Sequence, residues 1–181
     1  MDFLQFLVEK GIINSKLAAL AKTAMEKQGA SIDQALRETN VSLDKIMEAK
    51  SEYYGVPIKD MSDARVPFEI LRYIPEESAI HYKFVPVAIT DGMLEVGMVE
   101  PDNIEARDAL NFITSKEDLP YKIFLISEEN FTKVLEVYKG LSGDVTKALN
   151  DLESELSDEE KLLNEKADDK KTNLEQTKII E

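Results

Sequence analysis

The sequence predicts an α+β protein in which a group of short N-terminal helices precedes a small three-stranded sheet packed by helices, followed by an acidic tail. Three observations carry that reading. Apolar residues recur at helical spacing through the first third of the chain, two short apolar runs flank an Asp-Gly pair near its middle, and aromatic residues are absent from Gly143 onward.

The helical group covers residues 1–57. Phe3, Phe6 and Leu7 share a helical face, as do Leu17, Leu20, Ala21 and Ala24, and then Ile32, Ala35 and Leu36. Gly11, Gly29 and Asn40 punctuate these runs. Asn14, Ser31 and Ser42 stand where N-caps are needed, because their side chains accept from the open amides of a first helical turn. A last helix is predicted from about Leu43 to Tyr54, stopped by Gly55, which adopts a left-handed C-cap without strain, and by Pro57. The two halves of this group are weakly alike. Leu7 and Leu36 each stand four residues before a turn former, Gly11 or Asn40, with a helix start close behind. A duplicated helix-turn-helix unit and chance similarity of short amphipathic helices both account for this.

The mixed segment covers residues 58–141 and reads α-α-β-β-α-β-α. Pro67 and Pro75 suit first helical turns, where a missing amide proton costs nothing, so short helices are expected at 67–73 and 75–82. Phe84 to Ile89 and Met93 to Val99 are apolar runs joined by Asp91-Gly92, which predicts a hairpin since both positions tolerate positive φ. Pro86 cannot donate to a ladder and places either the first strand at an edge or the proline at an unpaired site. Asp102 or Asn103 then caps a helix with Ile104, Ala109, Leu110 and Ile113 on its inner face. Tyr121 to Ile126 alternates as a third strand, and a helix presenting Phe131, Val134, Leu135 and Tyr138 begins after Ser127.

The tail covers residues 142–181 and is expected to be partly helical, then disordered. From Gly143 it holds 12 acids, 6 bases and no aromatic residue, too little apolar surface for a core of its own. Val145, Leu149, Leu152, Leu156 and Leu163 nevertheless fall at 4-3-4-7 spacing, a narrow apolar stripe on a helix. A plain linker, docking on the domain and a coiled coil between copies are the alternatives. Beyond Lys166 disorder is expected.

Composition narrows the chemistry. A net charge of −14 with no basic patch argues against a nucleic-acid partner, since the charge repels a phosphate backbone. No cysteine is present, which excludes disulfides and thiolate sites. The N-terminus lacks the basic start of a secretory signal, and no apolar run approaches the roughly 20 residues that span a bilayer. A soluble cytoplasmic protein is expected, without direct membrane insertion. The seven glycines never form a phosphate-cradling loop. His81, the only histidine, reads as an exposed helix-end residue and leaves no multi-histidine metal site. Glu76-Glu77 and Glu128-Glu129 read as first-turn acids rather than catalytic carboxylates. Tyr53, Tyr54, Tyr73 and Tyr82 are expected to pack the helical group onto the mixed segment, with Tyr54 and Tyr73 buried; the alternative is a recognition face. No catalytic, cofactor-binding or metal-binding residue is assigned.

One succession of short motifs goes further: Tyr-Gly-Val-Pro at 54–57, Tyr-Ile-Pro-Glu-Glu at 73–77, Tyr-Lys-Phe-Val-Pro at 82–86, Leu-Glu-Val-Gly-Met-Val-Glu-Pro-Asp-Asn at 94–103, then Glu-Ala-Arg-Asp-Ala-Leu-Asn-Phe-Ile to 113. In order and spacing this resembles the N-terminal domain of type II secretion and type IV pilus assembly ATPases, the PilB/GspE group, over roughly residues 5–140. The resemblance implies a non-catalytic docking and regulatory module, acting through the cytoplasmic part of an inner-membrane platform component and peripheral to that membrane. It implies a C-terminal ATPase domain as a further partner if the chain is a fragment, the chain ending about where that domain would begin. Some members of the group bind cyclic di-GMP through a tandem motif of the form Arg-Leu-Gly-x-x-Leu-x-x-x-Gly. Here Leu7 and Gly11 match the end of the first copy, while its Arg-Leu-Gly portion falls on Asp2, Phe3 and Leu4. In the second copy Leu36 matches, Ser31, Ile32 and Asp33 take the Arg-Leu-Gly portion, and Asn40 replaces Gly. The missing Arg and Gly argue against cyclic di-GMP as a ligand. A ligand receptor of that type and a free-standing adaptor competing with the complete ATPase are the alternatives to docking.

Overall fold

A computed structural model describes the backbone of residues 2–62 and 65–177, with the side chains of all but 142 and 157–177. The chain divides into two units, Met1–Tyr138 and Lys139–Glu181.

The first unit begins with four helices: α1 (Phe3–Glu9), α2 (Ser15–Gln28), α3 (Ile32–Arg37) and α4 (Leu43–Tyr54). Each start is held by the side chain that local chemistry provides. Asn14 accepts from Leu17 N, Ser42 from Lys45 N, and Ser31 forms a reciprocal capping box with Gln34. Asp2 caps α1 in the same way, a role the sequence reading did not assign. Gly29 and Gly55 end α2 and α4 in the left-handed region, at φ 63° and 65°. The two halves repeat in form. Gly11 and Asn40 are both left-handed, at φ 68° and 58°, and Leu7 and Leu36 are both fully buried. They share one core with Phe3, Ile13, Ala35 and Ile46.

The chain leaves α4 alongside the sheet. Ile58 pairs in parallel with Leu125, and Met47 and Val56 bury against that same leucine, so the helical group is tied to the sheet edge. Next come α5 (Phe68–Leu71) and α6 (Glu76–Tyr82), both packed on β1 (Phe84–Thr90). Pro67 and Pro75 stand one residue earlier than predicted, as N-caps of extended backbone ahead of these helices. Their fixed φ and missing proton are equally harmless there, and their carbonyls accept from Ile70 N and Ala79 N at 3.0 Å.

β2 (Met93–Met98) returns antiparallel to β1 through Asp91-Gly92, at φ 53° and 72°, and β3 (Tyr121–Leu125) lies parallel to β2 after the crossover helix α7 (Ile104–Lys116). The order is β1-β2-β3, which makes β1 an edge, one of the two placements open to Pro86. The register slips between Pro86 and Ala88, a bulge beside the residue that cannot donate.

The inner face of α7 differs from expectation. Ala106, Leu110 and Thr114 are buried, whereas Ile104 is 73% exposed. Six residues advance a helix by about 600°, so Ile104 and Leu110 point in different directions. Tyr54 and Tyr73 are half-buried rather than buried. Tyr54 packs on Phe3 and Tyr53 within the helical group, and Tyr73 lies under the Arg72 guanidinium, so both phenols keep one side toward solvent.

The last helix, α8 (Glu128–Thr177), starts in the first unit and supplies buried Phe131, Val134 and Tyr138. In the second unit it continues as helix past Lys166, where composition predicts disorder. Across residues 139–177 Leu, Glu and Lys are the commonest residues, and their intrinsic propensity favours helix without a core. Residues 178–181 lie outside the described residues.

Candidate functional site

Five chain segments far apart in sequence enclose a cleft of about 520 Å³ in the first unit. The start of α1 contributes Asp2 and Phe3, the α2–α3 link Gly29 to Ile32, and the end of α4 Tyr53 and Tyr54. Lys83, between α6 and β1, and Glu100 and Asp102, between β2 and α7, complete it.

Local chemistry fixes each wall. Asp2 is held by accepting from Gln5 N at 2.8 Å. Ser31 accepts from Gln34 N at 3.2 Å, and its hydroxyl contacts Glu128 Oε2 at 3.2 Å, which ties the α3 start to α8. Phe3, Phe6, Tyr53 and Tyr54 form a cluster with ring centroids 4.9 to 6.3 Å apart. Lys83 adopts a left-handed conformation at φ 54° and its carbonyl accepts from Val99 N, so the start of β1 and the end of β2 lie together at the cleft. Of the two possible caps for α7, Asn103 takes the role, accepting from Ala106 N at 3.1 Å, and Asp102 is exposed at the rim.

The electrostatics follow from that lining. Asp2, Glu100 and Asp102 are three carboxylates against one ammonium, Lys83, whose Nζ lies 3.5 Å from Glu100 Oε1. Burial, then the fields of Asp102, Tyr53, Glu100 and Asp33, push the Tyr54 hydroxyl well above the usual phenol range. A neutral Tyr54 therefore faces an acidic rim.

The segments that align with the tandem motif come together here. Asp2 and Phe3 begin α1, Ser31 and Ile32 begin α3, and all four line the one cleft. Asn40, in the glycine position, keeps the left-handed turn. Those glycine positions instead face a larger hollow of about 750 Å³, lined by Gly11, Asn40, Lys10, Lys45, Glu48 and Glu52 among others, where Lys10 pairs with Glu52. His81 is exposed in the last turn of α6, edge-on to Tyr82, and the paired acids at 76–77 and 128–129 occupy first turns. Among the described residues no group of His and acidic side chains is placed to hold a metal ion, and no helix is long and apolar enough to cross a membrane.

Sequence reasoning missed the cleft as a unit and also the buried Lys50–Asp33 pair, with Nζ 2.6 Å from Oδ1. A charged residue in the buried face of α4, between Met47 and Tyr54, was the available signal.

Comparison with known proteins gives consistent matches. The MshEN domain family model covers residues 54–144. The type IV pilus assembly ATPase PilB of Myxococcus xanthus (strain DK1622) is 28% identical over 156 residues, covering 86% of this chain and 26% of PilB, so the chain spans about a quarter of that relative's length. Among solved structures, MshE with cdg superposes at a TM-score of 0.62 and 19% identity, covering 76% of this chain and 99% of that one. The N-terminal domain of XpsE superposes at 0.57 and 20% identity, covering 74% and 91%. At these identities the two structures establish a shared fold.

Proposed function

The chain belongs to the MshEN domain family, and from that premise we propose that it is a non-catalytic docking and regulatory module of a type IV pilus assembly or type II secretion ATPase. Its partner on this reading is the cytoplasmic part of an inner-membrane platform component, which would keep the module in the cytoplasm beside that membrane. The acidic rim of the cleft carries the proposal. A basic protein segment can place a guanidinium or ammonium among Asp2, Glu100 and Asp102 with its stem against Tyr53 and Tyr54. The sequence also lacks a phosphate-cradling glycine loop, so nucleotide hydrolysis is assigned to the family's other domain. The test measures binding of the purified chain to the platform protein's cytoplasmic segment. Glu100→Lys with Asp102→Lys is expected to weaken it by roughly tenfold or more, equal to about 1.4 kcal/mol. Unchanged binding would remove the cleft from the interface.

A second reading, binding of cyclic di-GMP, is favoured by the structural match to MshE with cdg and by the convergence of both half-repeats on one cleft. The carboxylates oppose it, because a phosphodiester would meet like charge where the tandem motif offers Arg. Calorimetry is expected to find binding no tighter than millimolar, roughly 4 kcal/mol. A micromolar site would exchange the two readings.

A further inference from the structure

We propose that α8 carries a second docking site, an exposed apolar seam of Val145, Leu149, Leu152 and Leu156 that receives a basic amphipathic helix of another protein. These four side chains are 59%, 55%, 53% and 55% exposed. Their 4-3-4 spacing aligns them along one side of the helix over about 17 Å, three turns of contact surface. Apolar side chains exposed singly need no explanation, but four in line form the kind of continuous strip that interfaces use.

Charge selects the occupant. From residue 144 to 156 the helix carries Asp144, Asp151, Glu153 and Glu155 against Lys147 alone. The positions flanking the seam are Thr146, Ala148, Glu153 and Glu155, so a second copy offers no base opposite either glutamate in any register of these turns. A partner with Leu or Ile along its seam and Lys or Arg beside it satisfies both surfaces. This site goes beyond the docking reading above and is tested apart from it, since the substitutions at Glu100 and Asp102 leave the seam intact.

The experiment uses the full chain and three synthetic 14-residue helical peptides: one with a leucine seam flanked by lysines, one with the same residues scrambled, and one with the seam flanked by glutamates. Fluorescence anisotropy is expected to show the first binding roughly tenfold or more tighter than either control. Leu149→Ala with Leu156→Ala, which removes apolar surface while favouring helix, is expected to remove that advantage, with helicity checked by circular dichroism. Equal binding of the scrambled peptide would reduce the effect to bulk charge and overturn the proposal, and so would equal binding of the glutamate-flanked peptide. Sedimentation velocity supplies the remaining outcome, because a dimer abolished by the same alanines would make a second copy the occupant.

Discussion

Tyr138 joins α8 to the turn between α5 and α6 through a single hydroxyl, 2.8 Å from the Ile74 carbonyl oxygen and 3.2 Å from that of Leu71. Tyr138→Phe keeps the packing and removes the donor, so unfolding should show a loss of about 1 to 2 kcal/mol. Burial, with a smaller contribution from Glu76, pushes the Tyr138 hydroxyl well above the ordinary phenol value. The unfolded chain then releases this proton near pH 10 while the folded chain retains it, so the stability it contributes is present below about pH 10 and lost as pH rises beyond. Denaturant melts at pH 8 and pH 10.5 should show that loss, and it should shrink in Tyr138→Phe. Lys50 and Asp33 give a sharper case. Both side chains are at most 4% exposed, and although Nζ and Oδ1 approach to 2.6 Å, Oδ1 has no aligned hydrogen bond. At 2.6 Å the contact is an ion pair. Lys50→Met strands a buried carboxylate and should cost about 3 to 5 kcal/mol, whereas Lys50→Met combined with Asp33→Leu should recover most of it. Full additivity in that double-mutant cycle would mean the two charges do not interact.

At the scale of elements, Gly97 on β2 explains how Ile126 packs on the sheet. A Cβ at position 97 would stand 2.8 Å from both Cδ1 and Cγ2 of Ile126, a β-branched side chain only 1% exposed and without room to withdraw. Gly97→Ala should therefore destabilise by about 1 to 3 kcal/mol, and Ile126→Ala in the same chain should leave the added methyl with little further cost. Such contacts mark the boundary of what sequence conveys. Caps at Asn14, Ser31 and Ser42 and the Asp91-Gly92 turn were legible because each depends on a residue and its neighbours within a few positions, and the same local chemistry narrowed the α7 cap to Asp102 or Asn103. The face of α7 was less so, because summed apolar spacing included Ile104, which the fold leaves outward beside a helix whose buried line is Ala106, Leu110 and Thr114. Phe112 is also outward, 64% exposed with the Lys116 ammonium 4.2 Å from its ring centroid. The cleft was not legible as a site. Asp2 and Ser31 hold equivalent places in the two half-repeats, but Tyr54, Lys83 and Asp102 share no period with them, and only the packing of α1, α3 and α4 with the start of β1 and the end of β2 brings all five together.

For the whole molecule, the question is how far stability extends along α8. Phe131, Val134 and Tyr138 are buried in the first unit, whereas every side chain described from Asp144 to Leu156 is exposed. A helix that buries one face gains from that burial, while one exposed all round depends on propensity and is marginal against an ordering cost of roughly 1 to 2 kcal/mol per residue. Gly140 and Gly143 weaken the helix further, at about 1 kcal/mol each relative to alanine. Cooperative unfolding should accordingly involve the first unit alone. Removal of residues 143–181 is expected to leave the thermal midpoint nearly unchanged while lowering mean helicity. Leu110→Ala, at a fully buried position on α7, should instead lose about 2 to 5 kcal/mol. Thermal and denaturant unfolding of the full chain, the shortened chain and the Leu110 variant decides between these outcomes. If the shortened chain loses as much as Leu110→Ala, then the seam from Val145 to Leu156 belongs to the cooperative core, and an outside helix would have to displace contacts already made within the chain.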